Sequence, residues 1–166
     1  MKSLNECMDE YTKQIKKGYI KTAYRGLMEY LLGLRTHFNN NYPDYFVSGN
    51  IYYGYMDMSY FSVVPKSLKS KKLKIAIVFI HEKAGFEIWL AAVNKQIQNK
   101  YWRLFIESGW SKYRIPSTTK GFDSIVEHDL VNNPNFDNLN MLTRKIENGT
   151  LEFVKDIEVF LSKHSD

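Results

Sequence analysis

Asp57 stands in Gly54-Tyr55-Met56-Asp57-Met58-Ser59-Tyr60-Phe61, an otherwise apolar and aromatic stretch. A carboxylate inside a strand of that character is costly to bury without partners. It could ligate a metal or act as a general base with a raised pKa. It could equally accept hydrogen bonds from Arg25, Arg35 or tyrosine hydroxyls, and the residue types favour this architectural role. Glu87 is the second acid of interest, in Phe86-Glu87-Ile88-Trp89-Leu90, where strand alternation puts Glu87 and Trp89 on one face. If Asp57 and Glu87 faced each other across neighbouring strands, they would form a carboxylate pair suited to metal-dependent hydrolysis. Pairing register is not readable from the chain alone. The expected site is therefore an aromatic and acidic groove of Tyr53, Tyr55, Asp57, Glu87 and Trp89, with Lys95 as the nearby cation.

Other patterns are weaker. His81-Glu82-Lys83 is a charged hairpin tip, which is ordinarily solvated. His37, His128 and His164 are isolated, and no HExxH or CxxC pattern occurs, so neither a metal site nor a cofactor is supported. Gly49 to Gly54 lacks the Lys-Ser/Thr and the helix of a phosphate loop, and no serine nucleophile elbow is present. The segment Asn94 to Arg103 offers amides, cations and aromatics that suit phosphate contacts with base stacking, or simply an exposed helix face.

These residues need a scaffold, and 166 residues suffice for one core, so a single domain over 1–166 is expected. The chain is 44% hydrophobic and 25% charged, ordinary for a globular protein and unlike a disordered one. Its single cysteine, Cys7, allows no intrachain disulfide. Met1 to Glu6 contains no apolar h-region, and the longest apolar runs are too short to cross a bilayer, so a cytoplasmic protein off the membrane is expected. Residues 66–120 carry twelve Lys/Arg against three Asp/Glu, and residues 121–166 carry four against nine. The basic middle could face nucleic acid or another acidic partner, or could pair with the chain's own acidic tail, which is the commoner outcome.

Ser3-Leu4-Asn5-Glu6 reads as a capping box opening a helix with Leu4, Cys7, Met8, Tyr11 and Ile15 at helical spacing. A second helix follows from Ile20 to Phe38 and must stop before Pro43. Ile51 to Val64 reads as a strand covered on both sides. Residues 65–72 read as a basic loop, 73–80 as a buried strand, and 86–90 as its hairpin partner. A helix over 92–107, a strand over 122–131 and two C-terminal helices broken at Asn148-Gly149 complete the order ααβββαβαα. The expected fold class is α+β, with a small, mostly antiparallel sheet of about four strands.

At GYMDMSYF (54–61), LKIAIVF (73–79) and FEIWLAAVNKQI (86–97) the chain resembles a small prokaryotic family described as a domain of unknown function. That resemblance runs nearly end to end and implies no activity. The element order is also similar to restriction-endonuclease-like folds, whose active members carry an acid on the second strand and an acid-x-Lys on the third. Asp57 and Glu87 would stand for the two acids, but Trp89 occupies the lysine's place. The resemblance thus implies an inactive relative rather than a working nuclease. The leading expectation is a non-catalytic binding or accessory domain. A metal-dependent, nuclease-like hydrolase using Asp57 and Glu87 is the alternative, and a structural or homo-oligomerising domain the third.

Overall fold

Strict two-residue alternation organises the molecule. Phe61 and Val63, then Ile75, Ile77 and Phe79, then Phe86, Ile88 and Leu90 share one face of a sheet and belong to the core. A computed structural model describes residues 1–164. It contains α1 (Leu4–Lys16), α2 (Tyr19–Asn41), β1 (Tyr45–Val47), β2 (Met58–Pro65), α3 (Lys66–Lys69) and β3 (Leu73–Ile80). These are followed by β4 (Gly85–Ala92), α4 (Lys95–Glu107), β5 (Ser124–Val131) and α5 (Leu139–Lys163). The strands lie side by side in chain order β1-β2-β3-β4-β5, every neighbouring pair antiparallel. The fold is α+β, with five strands rather than about four.

The helices seal the apolar face. α2 crosses β1 and β2, while α4 and α5 lie against β4 and β5. Leu31, Leu34 and Phe38 of α2 and Ile146, Phe153 and Ile157 of α5 are essentially fully buried. The opposite face carries Tyr60, Ser62, Ala76, Val78, Glu87 and Trp89, of which Ala76, Val78 and Glu87 are themselves buried.

Several boundaries differ from the sequence reading, each for a physical reason. The strand expected over Ile51 to Val64 begins only at Met58, because Gly54 (φ +77°) and the Asp57 turn break the chain ahead of it. Residues 45–47 add the short edge strand β1, too brief to show a period. The expected basic loop contains the single-turn helix α3, which buries Leu68. α4 starts at Lys95 because the Asn94 side chain caps it by accepting from the Ile97 N–H. The two expected C-terminal helices are one: α5 runs through Gly149, where a Cβ would stand 2.6 Å from the Leu130 side chain. That glycine lets α5 approach β5 closely instead of ending a helix.

The larger apolar side chains on the helix-covered face predict unequal faces. Phe86 is fully buried and packs 5.1 Å from Phe79 and 6.0 Å from Tyr30. Phe86→Ala should lower unfolding free energy by about 3–5 kcal/mol. Ser62→Ala on the other face should change it by no more than about 0.5 kcal/mol in the same urea titration.

Candidate functional site

The structure disperses part of the expected groove. Asp57 is exposed, not embedded in a strand. Its Oδ1 accepts the backbone N–H groups of Tyr55 (2.8 Å) and Met58 (2.7 Å), and its carbonyl accepts from the His81 N–H. Those two side-chain bonds, Tyr55 first, hold its carboxyl below the ordinary value. Asp57 is thus the acceptor of a tight turn, with neither Arg25 nor Arg35 as its partner. Gly54 is required there, since a Cβ would fall 1.9 Å from the Met58 carbonyl oxygen. Tyr53 and Tyr55 are exposed beside this turn.

Glu87 does lie on Trp89's face, as alternation requires. It is 5% exposed and fully engaged: Lys83 Nζ donates to it at 2.6 Å and the Trp89 indole N–H at 2.7 Å, with Arg114 3.7 Å away. Arg114 also pairs with Glu127 (2.9 Å) and sits 3.6 Å from Asp129. Glu87 sits in the row Tyr60–Val78–Glu87, two strands from β2 and three residues up from Asp57. That offset is on the order of 14 Å between backbones. The two carboxylates share no site, and among the described residues no group of three His, Cys, Asp or Glu is placed around a common metal position.

Trp89 and Lys95 meet in a small cleft of about 280 Å³ with Tyr60, Ala76 and Ala91. Lys95 is already committed to the carbonyls of Thr119 and Phe122, and buried Gln98 donates to those of Phe122 and Ser124. The polar face of α4 therefore holds the 116–123 loop, which uses the donors a phosphate would need. The basic segment is likewise drawn inward: Lys66 pairs with Asp44, Lys112 with Asp156, and Arg114 with Glu127. The latter two acids belong to the acidic tail.

A larger site lies on the helical side. α2 and α5 sit toward opposite edges, and a groove of about 930 Å³ opens between α2, the β3–β4 hairpin tip and the start of α5. Its lining is mostly apolar: Leu27, Tyr30, Leu34, Phe79, Phe136 and Leu139 among others, with His37, His81 and Thr143 as polar points. Gly26 and Gly33, seven residues apart on α2, form part of the wall, and a Cβ on either would meet nothing within 4 Å. Sequence reading passed over both glycines, although two helix-weakening residues one heptad apart were a visible signal.

At the groove's end His81 Nε2 lies 2.9 Å from Ser59 Oγ, which lies 2.6 Å from the Tyr53 carbonyl oxygen. A carbonyl has no proton to give, so Ser59 donates to Tyr53 and His81 Nε2–H donates to Ser59. Nδ1 then carries the imidazole's free lone pair. Burial holds His81 below its ordinary pKa, with Asp57 opposing. Asp57, Ser59 and His81 are neighbours, yet the serine proton points away from the histidine and the carboxylate binds backbone, so no activated nucleophile results.

These features define a class: an α+β domain with a five-stranded antiparallel meander, a paired Glu87 cluster on one face and an apolar groove on the helical side of the other. The chain belongs to the family described as a domain of unknown function, DUF7000, whose family model matches residues 4–161. No curated protein and no solved structure matches it.

The Asp57 turn yields a pH prediction. Its folded carboxyl titrates below the unfolded one, so its stabilisation is complete above the ordinary value of about 3.9 and is lost as pH falls through the folded value. Asp57→Asn should be less stable than the parent at neutral pH, and the gap should close in acid. Urea titrations between about pH 7 and pH 2 read this directly; a gap independent of pH would remove the carboxylate from the turn's energetics.

Proposed function

We propose that this protein is a non-catalytic binding domain whose ligand occupies the groove between α2, the hairpin tip and α5. The groove volume of about 930 Å³ carries the reading. It falls within the range of roughly 300–1,000 Å³ typical of small-molecule sites, and its apolar lining with a few polar points matches their chemistry. The fitting ligand has an apolar, aromatic-bearing body and one hydrogen-bond donor for the His81 acceptor nitrogen. The two glycines support the assignment. Each costs a helix about 1 kcal/mol relative to alanine, and neither is offset by close packing within the chain. A ligand approaching the α2 backbone would supply the missing contact. The hydrolase alternative has lost its paired acids. The aromatic and acidic face expected from sequence is the lesser candidate, because Glu87 is saturated by Lys83, Trp89 and Arg114. A cytoplasmic setting in a prokaryote suits this reading, with Cys7 as an exposed free thiol.

The glycines also allow a test that spares the fold. Gly26→Ala and Gly33→Ala should each stabilise the unliganded protein by about 1 kcal/mol, raising Tm by about 2–4 °C. Gly33→Leu should fold equally well but fill the groove. Anilinonaphthalene sulfonate, an apolar fluorescent probe, should bind the parent saturably and the Gly33→Leu protein at least about tenfold more weakly. Trp89→Ala on the opposite face should leave probe binding unchanged. Equal binding by the parent and Gly33→Leu would move the site elsewhere.

A further inference from the structure

α1 is an amphipathic helix that buries nothing. None of its residues is buried, and it leans on the start of α2 mainly through half-buried Gln14 and Ile15. At 13 residues it is too short to be secure in water by itself, even with the Ser3–Glu6 capping box. Its apolar residues Leu4, Met8 and Tyr11 are 77%, 48% and 48% exposed, and Tyr19, Ile20 and Tyr24 extend the apolar surface at 80%, 44% and 42%. At roughly 200 Å² per side chain these six expose on the order of 700 Å². That is more than the roughly 300–600 Å² of the largest patch on a typical monomer, and close to the roughly 800 Å² per partner of a stable interface.

The spacing of the seam identifies what covers it. Leu4, Met8, Tyr11 and Ile15 are separated by four, three and four residues, the coiled-coil interval. That sequence of intervals reads the same in both directions. A second identical helix, related by a two-fold axis, therefore matches it layer by layer: Leu4 on the other copy's Ile15, and Met8 on the other copy's Tyr11. An isologous contact requires this self-complementarity, and a second copy supplies it with no further partner. We propose that the protein forms a two-fold symmetric dimer through antiparallel pairing of α1 with α1 of a second copy, flanked by Tyr19, Ile20 and Tyr24. Ile20 and Tyr24 also line the groove, so the dimer would cover part of its rim.

The full chain tests it. Light scattering should give a mass rising from 19.6 kDa toward twice that value as concentration increases through the micromolar range. Met8→Glu and Tyr11→Glu should hold the protein at the monomer mass. Because neither residue is buried, their circular dichroism and Tm at low concentration should match the parent. Direction is read by spin labels in a Cys7→Ser background. In the antiparallel pair residue 10 lies almost level with its counterpart. Residue 16 lies level with residue 3 of the other copy, an axial offset of about 20 Å at 1.5 Å per residue. Labels at Glu10→Cys should therefore be close and those at Lys16→Cys well separated. A monomer at every concentration, a dimer that survives both glutamate substitutions, or equal label separations at the two positions would each overturn the proposal.

Discussion

The structure depends on burying, beneath α2 and α5, the face of an antiparallel sheet that carries its largest apolar side chains. The core-facing side chains of β2, β3 and β4 interlock with α2 and α5, and Ile75, Ile77, Phe86, Ile88 and Leu90 are completely excluded from solvent. A one-residue slip between any two strands would exchange this apolar face for the one carrying Glu87, Lys74 and Trp89. Register is therefore strongly specified. The remaining features follow from it. Glu87 is held on the other face, where Lys83, Trp89 and Arg114 can reach it. The groove lies between α2, the hairpin tip and the start of α5.

Much of this architecture was legible in local sequence. LKIAIVFI and GFEIWLAA are β-rich runs separated by a short turn, and they form the central hairpin β3–β4. The periodicity of α2 and its end ahead of Pro43 were equally plain. Other features misled for reasons specific to certain residues. Tyr52, Tyr53 and Tyr55 look apolar in a pattern but are exposed around a turn, so the strand was read too long and Asp57 seemed interior. Gly149 resembled a helix break because its cause, Leu130, lies far away in sequence. The cleft of Trp89 and Lys95 could be anticipated in part, since both residues sit around β4. The groove could not, because its walls come from α2, β3 and α5 and no local period records their separation.

Charge shows the same contrast between sequence and space. The excess of cations over 66–120 suggests an anionic partner, yet folding brings Asp44, Glu87, Glu127 and Asp156 to several of them. Of these only the Lys66–Asp44 pair is fully exposed, and such a pair adds little stability, typically well under about 1 kcal/mol. Their consequence is electrostatic: Lys66, Lys83, Lys112 and Arg114 are paired within the chain. The groove and the α1 seam are the apolar surfaces on which the proposed binding role and the proposed dimer rest.

Chemical-shift mapping with indole on uniformly ¹⁵N-labelled protein tests that account most directly. Saturable shifts concentrated at the amides of Gly26, Gly33, Phe79 and Ala84 would place an aromatic ligand in the groove, as expected from its lining. Shifts centred instead on Tyr60, Trp89 and Ala91, or a response that never saturates, would contradict it.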